Sequence, residues 1–303
     1  MKVYDLIILG GGPAGITAAI YAARKKLDFL VITLDVGGQA AWSGDIENYT
    51  GYQFITGPDL ALKFQEHMDV FGIAVKNPER AVDVYKEGDL VKIKTDLGEY
   101  CAKSAIIATG KRPRPLSVPG ESEFKNKGVT YCAICDGPIY KSKDVLVVGG
   151  GNSALDAVIA LARICPKVHV VNMTESLTAD AVMVEAVTVL PNVVVHNDTR
   201  VKAIYGEAFV SGVVLKKNGK EEDIKVEGVF IEIGLIPNSN FASRLKANEH
   251  NEIIVDCNNN TSLSGIFAAG DVTNVAEKQI IIACGEGAKA CLAAASYLVR
   301  KKW

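Results

Sequence analysis

Cys132-Ala133-Ile134-Cys135 sets two thiols three positions apart, a spacing at which the pair can close a small disulfide loop or contribute to a metal site. In a reducing compartment such a pair is more often catalytic or metal-binding than structural. Zinc would need two further ligands. No second motif of this kind exists, and His67, His169, His196 and His250 stand alone along the chain, so redox chemistry is preferred and no metal is expected. Asp136 follows directly, where a carboxylate could exchange a proton with an attacking or departing thiol. It could also simply cap the turn that opens at Gly137-Pro138. The other cysteines (Cys101, Cys165, Cys257, Cys284 and Cys291) occur singly in apolar or strand-like contexts and read as small buried hydrophobes.

A second kind of chemistry is written in the glycines. Gly10-x-Gly12-x-x-Gly15 follows the apolar run Val3 to Leu9 and precedes an alanine-rich segment from Ile16 to Lys26. Strand, tight turn and helix is the implied order. Each glycine has a reason in dinucleotide binding: the tight turn, the approach of backbone to a pyrophosphate, and the contact of helix with strand. The new helix offers free N–H groups to phosphate. Asp35, 20 residues beyond Gly15, stands where a ribose hydroxyl would be held, although it could equally serve the turn at Val36-Gly37-Gly38. The same grammar recurs in Asp144 to Val148, then Gly149-Gly150-Gly151-Asn152-Ser153-Ala154, then an apolar helix.

Those turns need parallel sheets behind them, and the two units together predict an α/β chain of two Rossmann-like three-layer domains. Between them, alternating patterns over 81–85, 90–95 and 104–108 suggest a small antiparallel layer inserted in the first domain, with a comparable set over 201–204, 209–216 and 226–233 in the second. Lys111-Arg112-Pro113-Arg114-Pro115-Leu116 reads as an interdomain crossing, because two prolines fix extended backbone and cannot continue a sheet interior. The chain is expected to cross back near Leu235 to Asn238. Residues 1–113 and 241–303 would then fold together around an inserted domain of residues 114–240. Ile266 to Asp271 reads as a buried strand ending in a glycine turn with a carboxylate at its tip.

Composition narrows the partners. With 33 basic and 35 acidic residues among 303, the net charge is -2, which offers no global field for nucleic acid or an anionic membrane. Seven cysteines is an odd number and a low density, which argues against a secreted disulfide framework. No run of 18 or more uncharged apolar residues occurs, since the stretch Gln279 to Leu298 holds Glu286 and Lys289. A soluble, cytoplasmic protein is expected.

Taken together, Gly10 to Gly15, Gly37-Gly38-Gln39, Glu47-Asn48-Tyr49, Ala108-Thr109-Gly110, Cys132 to Gly137, Gly149 to Ala154 and Gly270-Asp271-Val272 resemble the low-molecular-weight thioredoxin reductases from end to end of the chain. The segment Lys278 to Lys289 is similar to the flavoprotein component of alkyl hydroperoxide reductase, a relative with an additional N-terminal thioredoxin-like domain that is not seen in these 303 residues. The resemblance implies an FAD domain, a smaller pyridine-nucleotide domain bearing the cysteine pair, and a homodimer that alternates between two domain orientations. By that resemblance Gly10, Gly12, Pro13, Ala14, Gly15, Asp35, Gly38, Gln39, Asn48, Thr109, Gly110, Gly270, Asp271, Lys278, Gln279 and Ile280 line the FAD, while Gly149, Gly151, Asn152 and Ala154 form a nucleotide turn. It likewise implies that Cys135 faces the flavin, that Cys132 attacks the disulfide of thioredoxin, and that Asp136 is the acid/base.

One departure bears on the electron donor. NADPH-using relatives end the strand after the second glycine turn in an arginine cluster that grips the 2′-phosphate. Here the stretch Val170 to Thr178 contains no Lys or Arg, so NADPH would be desolvated with little compensation. NADH-using relatives place a carboxylate where Asn172 stands, and some ferredoxin-dependent flavoenzymes of this kind lack nicotinamide motifs altogether. NADH or reduced ferredoxin is therefore expected ahead of NADPH. Alternatives are an NADH-dependent reductase of a peroxiredoxin or glutaredoxin-like carrier and, in another class, a non-catalytic flavin sensor whose cysteine pair is a switch.

Overall fold

The structure, a computed structural model, describes residues 2–43, 45–46 and 48–303; the side chains of Asp45, Ile134 and Cys135 lie outside the described set. The chain forms two compact units, Met1–Arg112 with Ile236–Trp303, and Pro113–Leu235. The crossings fall at 112/113 and 235/236, against expected domain bounds of 113/114 and 240/241 and an expected return near Leu235 to Asn238. Leu235–Pro237 pairs with Lys111–Pro113 as a short two-stranded ribbon. An edge ribbon of this kind is a place where prolines are tolerated.

In the first unit the strand Val3–Gly11 sits inside a seven-stranded sheet, parallel to Phe29–Val36 on one side and to Glu99–Ile107 on the other. Leu6, Ile7, Ile8 and Leu9 are all buried, as a parallel strand covered on both faces requires. Each such side chain contributes roughly 1.5–3 kcal/mol by leaving water. The helix Pro13–Arg24 packs on one face beside the helix Ile280–Lys301. Ala242, Leu245 and Ile253 join the core cluster that contains Ile7, Leu9, Ile93 and Ile107.

One expectation changes here. The strands Ala81–Glu87 and Leu90–Thr95 are not a separate layer. They continue the main sheet, because the nine-residue strand Glu99–Ile107 pairs antiparallel with Leu90–Thr95 near its start and parallel with Val3–Gly11 further along. Helix Ile280–Lys301 is also long and apolar enough to cross a membrane by length and composition. It is nevertheless a core element, with Ala283, Ala290, Cys291, Ala294 and Leu298 buried and Glu286 bonded to Asn259 and Lys289.

The second unit holds a five-stranded parallel sheet in the order Val129–Thr130, Gly228–Ile231, Val145–Val148, Val168–Val171, Val193–His196. The helices Asn152–Ala162 and Ala181–Thr188 contribute Leu155, Val158, Leu161 and Val187 to its core. A three-stranded antiparallel sheet, Arg200–Gly206, Val210–Lys217 and Lys220–Ile224, lies beside it in the chain. The third of these strands was not expected. Its sequence KEEDI is exposed over four of five positions, so no alternating apolar pattern marks it. The stretch 226–233 expected in this antiparallel set instead supplies Gly228–Ile231 to the parallel sheet, paired on both sides by parallel strands.

Candidate active site

At the first glycine turn the three glycines do different work. Gly10 has φ +115°, and a Cβ there would overlap the carbonyl of Ala108 and come within 3.0 Å of Thr109 N. A Cβ on Gly15 would overlap the carbonyl of Gly10, so these two glycines let strand and helix meet. Around Gly12 the space is open, the nearest atom being Gly38 Cα at 3.9 Å. Gly12 is also the N-cap of Pro13–Arg24 and makes no side-chain cap. An uncapped helix start bordered by two glycine backbones fits the pyrophosphate of a dinucleotide such as FAD.

The remaining residues expected at this site gather by contact. Gly270, at φ +73°, lies against Ala14, where an added Cβ would stand 3.0 Å from that of Ala14. This brings Asp271 to the start of the same helix. Asn48 donates through Nδ2 to Gln279 Oε1 at 3.1 Å, just ahead of Ile280. Thr109 donates its hydroxyl to the Asn238 carbonyl at 2.7 Å, and Asn238 returns bonds to the carbonyls of Thr109 and Gly110 at 2.9 Å each. Asn238 is thus a positioning residue that sequence reasoning did not pick out. Asp35 is exposed, and its carbonyl accepts the Thr33 hydroxyl at 2.6 Å. Lys278 turns its ammonium to the Thr273 carbonyl and to Glu252, which also takes Lys111 at 2.7 Å. Burial pushes the Glu252 carboxyl up, but Lys111, Asn248 and Lys278 outweigh it and hold it at about 2. Burial likewise raises Asp271, opposed by Lys278 and Lys111.

In the second unit Cys132 is disulfide-bonded. The side chain of Cys135, its expected partner, lies outside the described residues. Cys132 directly precedes the short helix Ala133–Asp136. Thr130, buried in the strand Val129–Thr130, accepts the Cys132 N–H at 3.2 Å and donates its hydroxyl to Asp136 Oδ2. The Asp136 N–H donates to the Cys132 carbonyl at 3.1 Å. The alternative that Asp136 merely caps Gly137–Tyr140 does not hold, since that turn has no side-chain cap and the carboxylate is bonded to Thr130.

Glu232 also went unnoticed in the sequence. It follows the strand Gly228–Ile231, and its half-buried carboxyl is pushed up to about 7 by burial, with an opposing bond from the Ala133 N–H and a further push from Asp156. A local pattern could not reveal this, because Glu232 and Ala133 meet only through the sheet.

The second glycine turn repeats the first. Gly149, at φ +140°, could carry no Cβ without overlapping the Glu232 carbonyl and crowding Ala154, whereas Gly151 has only Thr178 Oγ1 at 3.9 Å. Gly151 is the uncapped N-cap of Asn152–Ala162. Asn152 is engaged with Asp180, accepting its N–H at 2.8 Å and donating to its carboxylate at 3.0 Å. Asn172 is buried, and its amide donates to the carbonyls of Thr174 and Ser176 and to Asn197 Oδ1, while its oxygen accepts the Thr174 hydroxyl.

Two further expectations are corrected. The histidines do not all stand alone. His169 Nδ1 and His196 Nε2 lie 2.9 Å apart across adjacent strands, and burial followed by His196 pushes His169 down to about 4. Among the described residues no group of three or more His, Cys, Asp or Glu is placed to hold a metal. Cys257 is exposed, unlike the buried Cys101, Cys165, Cys284 and Cys291, because it sits in a polar turn organised by the Asp256 carboxylate.

Comparison with known proteins places these features. The family model described as pyridine nucleotide-disulphide oxidoreductase matches residues 4–287. An NADH dehydrogenase of Ferdinandcohnia aciditolerans is 44% identical over 301 residues, which are 98% of this chain and 58% of that protein. An alkyl hydroperoxide reductase component of Staphylococcus aureus is 40% identical over 98% of this chain and 59% of its own length. The chain thus spans somewhat over half the length of these relatives. Thioredoxin reductase of Lactococcus lactis, in a crystal structure of its FR conformation, superposes with a TM-score of 0.82 at 36% identity, covering 98% of this chain and 99% of that one.

Proposed function

The chain belongs to the pyridine nucleotide-disulphide oxidoreductases, among the low-molecular-weight thioredoxin reductases, and on that premise we propose that it is an FAD-dependent disulfide reductase fed by NADH. Its acceptor is the disulfide of a protein carrier, thioredoxin or a glutaredoxin-like or peroxiredoxin partner. The observation that carries the reading is the disulfide at Cys132, tied through Thr130 to the Asp136 carboxylate. In this proposal Cys135 closes that disulfide, and the enzyme is a cytoplasmic homodimer.

Bound FAD would supply a two-electron carrier between a nicotinamide and a disulfide. Gly10, Gly12, Gly15 and Gly38 would shape the cradle for its pyrophosphate, Asp271 would hold a hydroxyl of the ligand, and Asn48, Gln279, Thr109 and Gly110 would border it. Gly149, Gly151 and Ala154 would form the matching turn for NADH. NADH is favoured over NADPH because residues 170–178 have no cation to pair with a 2′-phosphate. It is favoured over ferredoxin because the second glycine turn keeps an open Gly151 and an uncapped helix start.

Once reduced, Cys132 attacks the carrier disulfide. One carrier sulfur becomes bonded to Cys132 and the other leaves as a thiolate. Asp136 takes the Cys132 proton and gives it to that thiolate. Cys135 then attacks Cys132 and releases the second carrier sulfur, which takes the Cys135 proton, so the carrier gains two electrons and two protons as the enzyme disulfide re-forms. The test is NADH-dependent turnover with purified thioredoxin, a glutaredoxin-like protein and a peroxiredoxin. Cys132→Ser is expected to abolish turnover with every carrier while leaving flavin reduction intact. Turnover that survives Cys132→Ser would remove the disulfide from the pathway.

A further inference from the structure

We propose that Thr130 is a positioning residue for proton transfer at Cys132, holding the Asp136 carboxyl in both of its protonation states. The inference rests on the reading of Asp136 as the acid/base, and it adds a residue that neither the motif nor the resemblance assigns.

A hydroxyl has one proton and two acceptor lone pairs. At Thr130 one lone pair is occupied by the Cys132 N–H at 3.2 Å. The proton is directed to Asp136 Oδ2, and one lone pair remains. When Asp136 is ionised the hydroxyl donates to it; when Asp136 has taken the Cys132 proton, the hydroxyl turns its own proton into the direction of the remaining lone pair and a lone pair accepts the acid O–H. The same two atoms can therefore stay in contact through the whole exchange, with no rotation of the carboxyl between accepting a proton and releasing it.

The placement of Thr130 makes that contact rigid. Its strand Val129–Thr130 pairs with Gly228–Ile231, with Thr130 in register with Phe230, and the residue is buried. A β-branched side chain on paired backbone has little χ1 freedom. Asp136 is held from the other side by its own N–H, which donates to the Cys132 carbonyl. The result is a closed set of hydrogen bonds linking the cysteine backbone, the hydroxyl and the carboxylate. A threonine that only shaped the turn would need the bond to the Cys132 N–H alone.

The test compares Thr130→Val, Thr130→Ser and Asp136→Asn in the flavin-loaded enzyme. Carrier reduction and flavin reduction by NADH are each followed against pH in stopped flow. Thr130→Val, which keeps the shape and loses the hydroxyl, is expected to slow carrier reduction about 10–100-fold and to displace the pH profile of that step, with flavin reduction unchanged. Thr130→Ser should restore the rate to within about threefold, because it keeps both hydrogen-bonding roles. Adding Thr130→Val to Asp136→Asn should cost nothing further, as expected of residues acting as a unit. If Asp136→Asn alone leaves rate and pH profile unchanged, the acid/base reading and this inference both fall. If Asp136→Asn abolishes the pH dependence but Thr130→Val matches the parent, or if the two losses multiply in the double variant, the inference falls and the reading of Asp136 stands.

Discussion

Asn172 lies directly against Gly150: its side-chain oxygen occupies the space that a Cβ on Gly150 would need. The same amide group spends its donors on Thr174, Ser176 and Asn197. Asn172 is thus built into the loop that follows it, and replacing it has a cost that resemblance alone does not suggest.

Asn172→Asp illustrates this. The resemblance implies a carboxylate here for NADH use, yet in this loop it would set an oxygen against three oxygens, at 3.0, 2.7 and 3.2 Å. Buried groups stripped of their partners cost roughly 1–3 kcal/mol each. We expect a loss of about 2–4 kcal/mol in urea denaturation and a raised KM for NADH. A variant as stable as the parent, with a lower KM, would contradict this.

The glycines separate into those required by the fold and those left open to ligand. Gly15→Ala would drive a methyl into the Gly10 carbonyl and should cost about 2–4 kcal/mol. Gly12→Ala meets nothing nearer than 3.9 Å at an ordinary φ of -82°, so its stability should change by less than about 1 kcal/mol. Its bound flavin should nevertheless be lost on dilution more readily than the parent's. Thermal unfolding and flavin absorbance on the same samples distinguish the two effects.

Much of this could be read from the chain. Both strand–turn–helix units were legible because their signals are local: a buried apolar run, a glycine cluster, then an alanine- or leucine-rich helix. What escaped reading depends on distant pairings. Glu232 reaches Ala133, and Asn238 clamps Thr109, only once parallel strands far apart in sequence are side by side. The strand Lys220–Ile224 was missed because an exposed edge needs no apolar residues. Asp136 offered two readings in sequence, and its carboxylate is bonded to Thr130 rather than capping the turn at Gly137–Tyr140.

Glu232 gives stability a pH dependence. Its carboxyl is raised from the ordinary 4.5 to about 7, so between those values the folded protein keeps a proton that the unfolded chain has released. This contribution to stability is present below pH 4.5 and is lost as pH rises toward 7. Glu232→Gln has nothing to ionise and still accepts the Ala133 N–H. The difference in unfolding free energy, variant minus parent, should grow across that window to on the order of 1–3 kcal/mol. A difference that is constant with pH would refute it.

The central claim is that NADH delivers electrons through the flavin to the Cys132 disulfide. Anaerobic titration of the flavin-loaded protein measures this directly through bleaching of the oxidised flavin band. The account predicts that NADH bleaches the flavin faster than NADPH or reduced ferredoxin does. Complete reduction should consume about two equivalents of NADH per flavin in the parent and about one in Cys132→Ser, since flavin and disulfide each take two electrons. Faster bleaching by NADPH, or one equivalent sufficing for the parent, would contradict it.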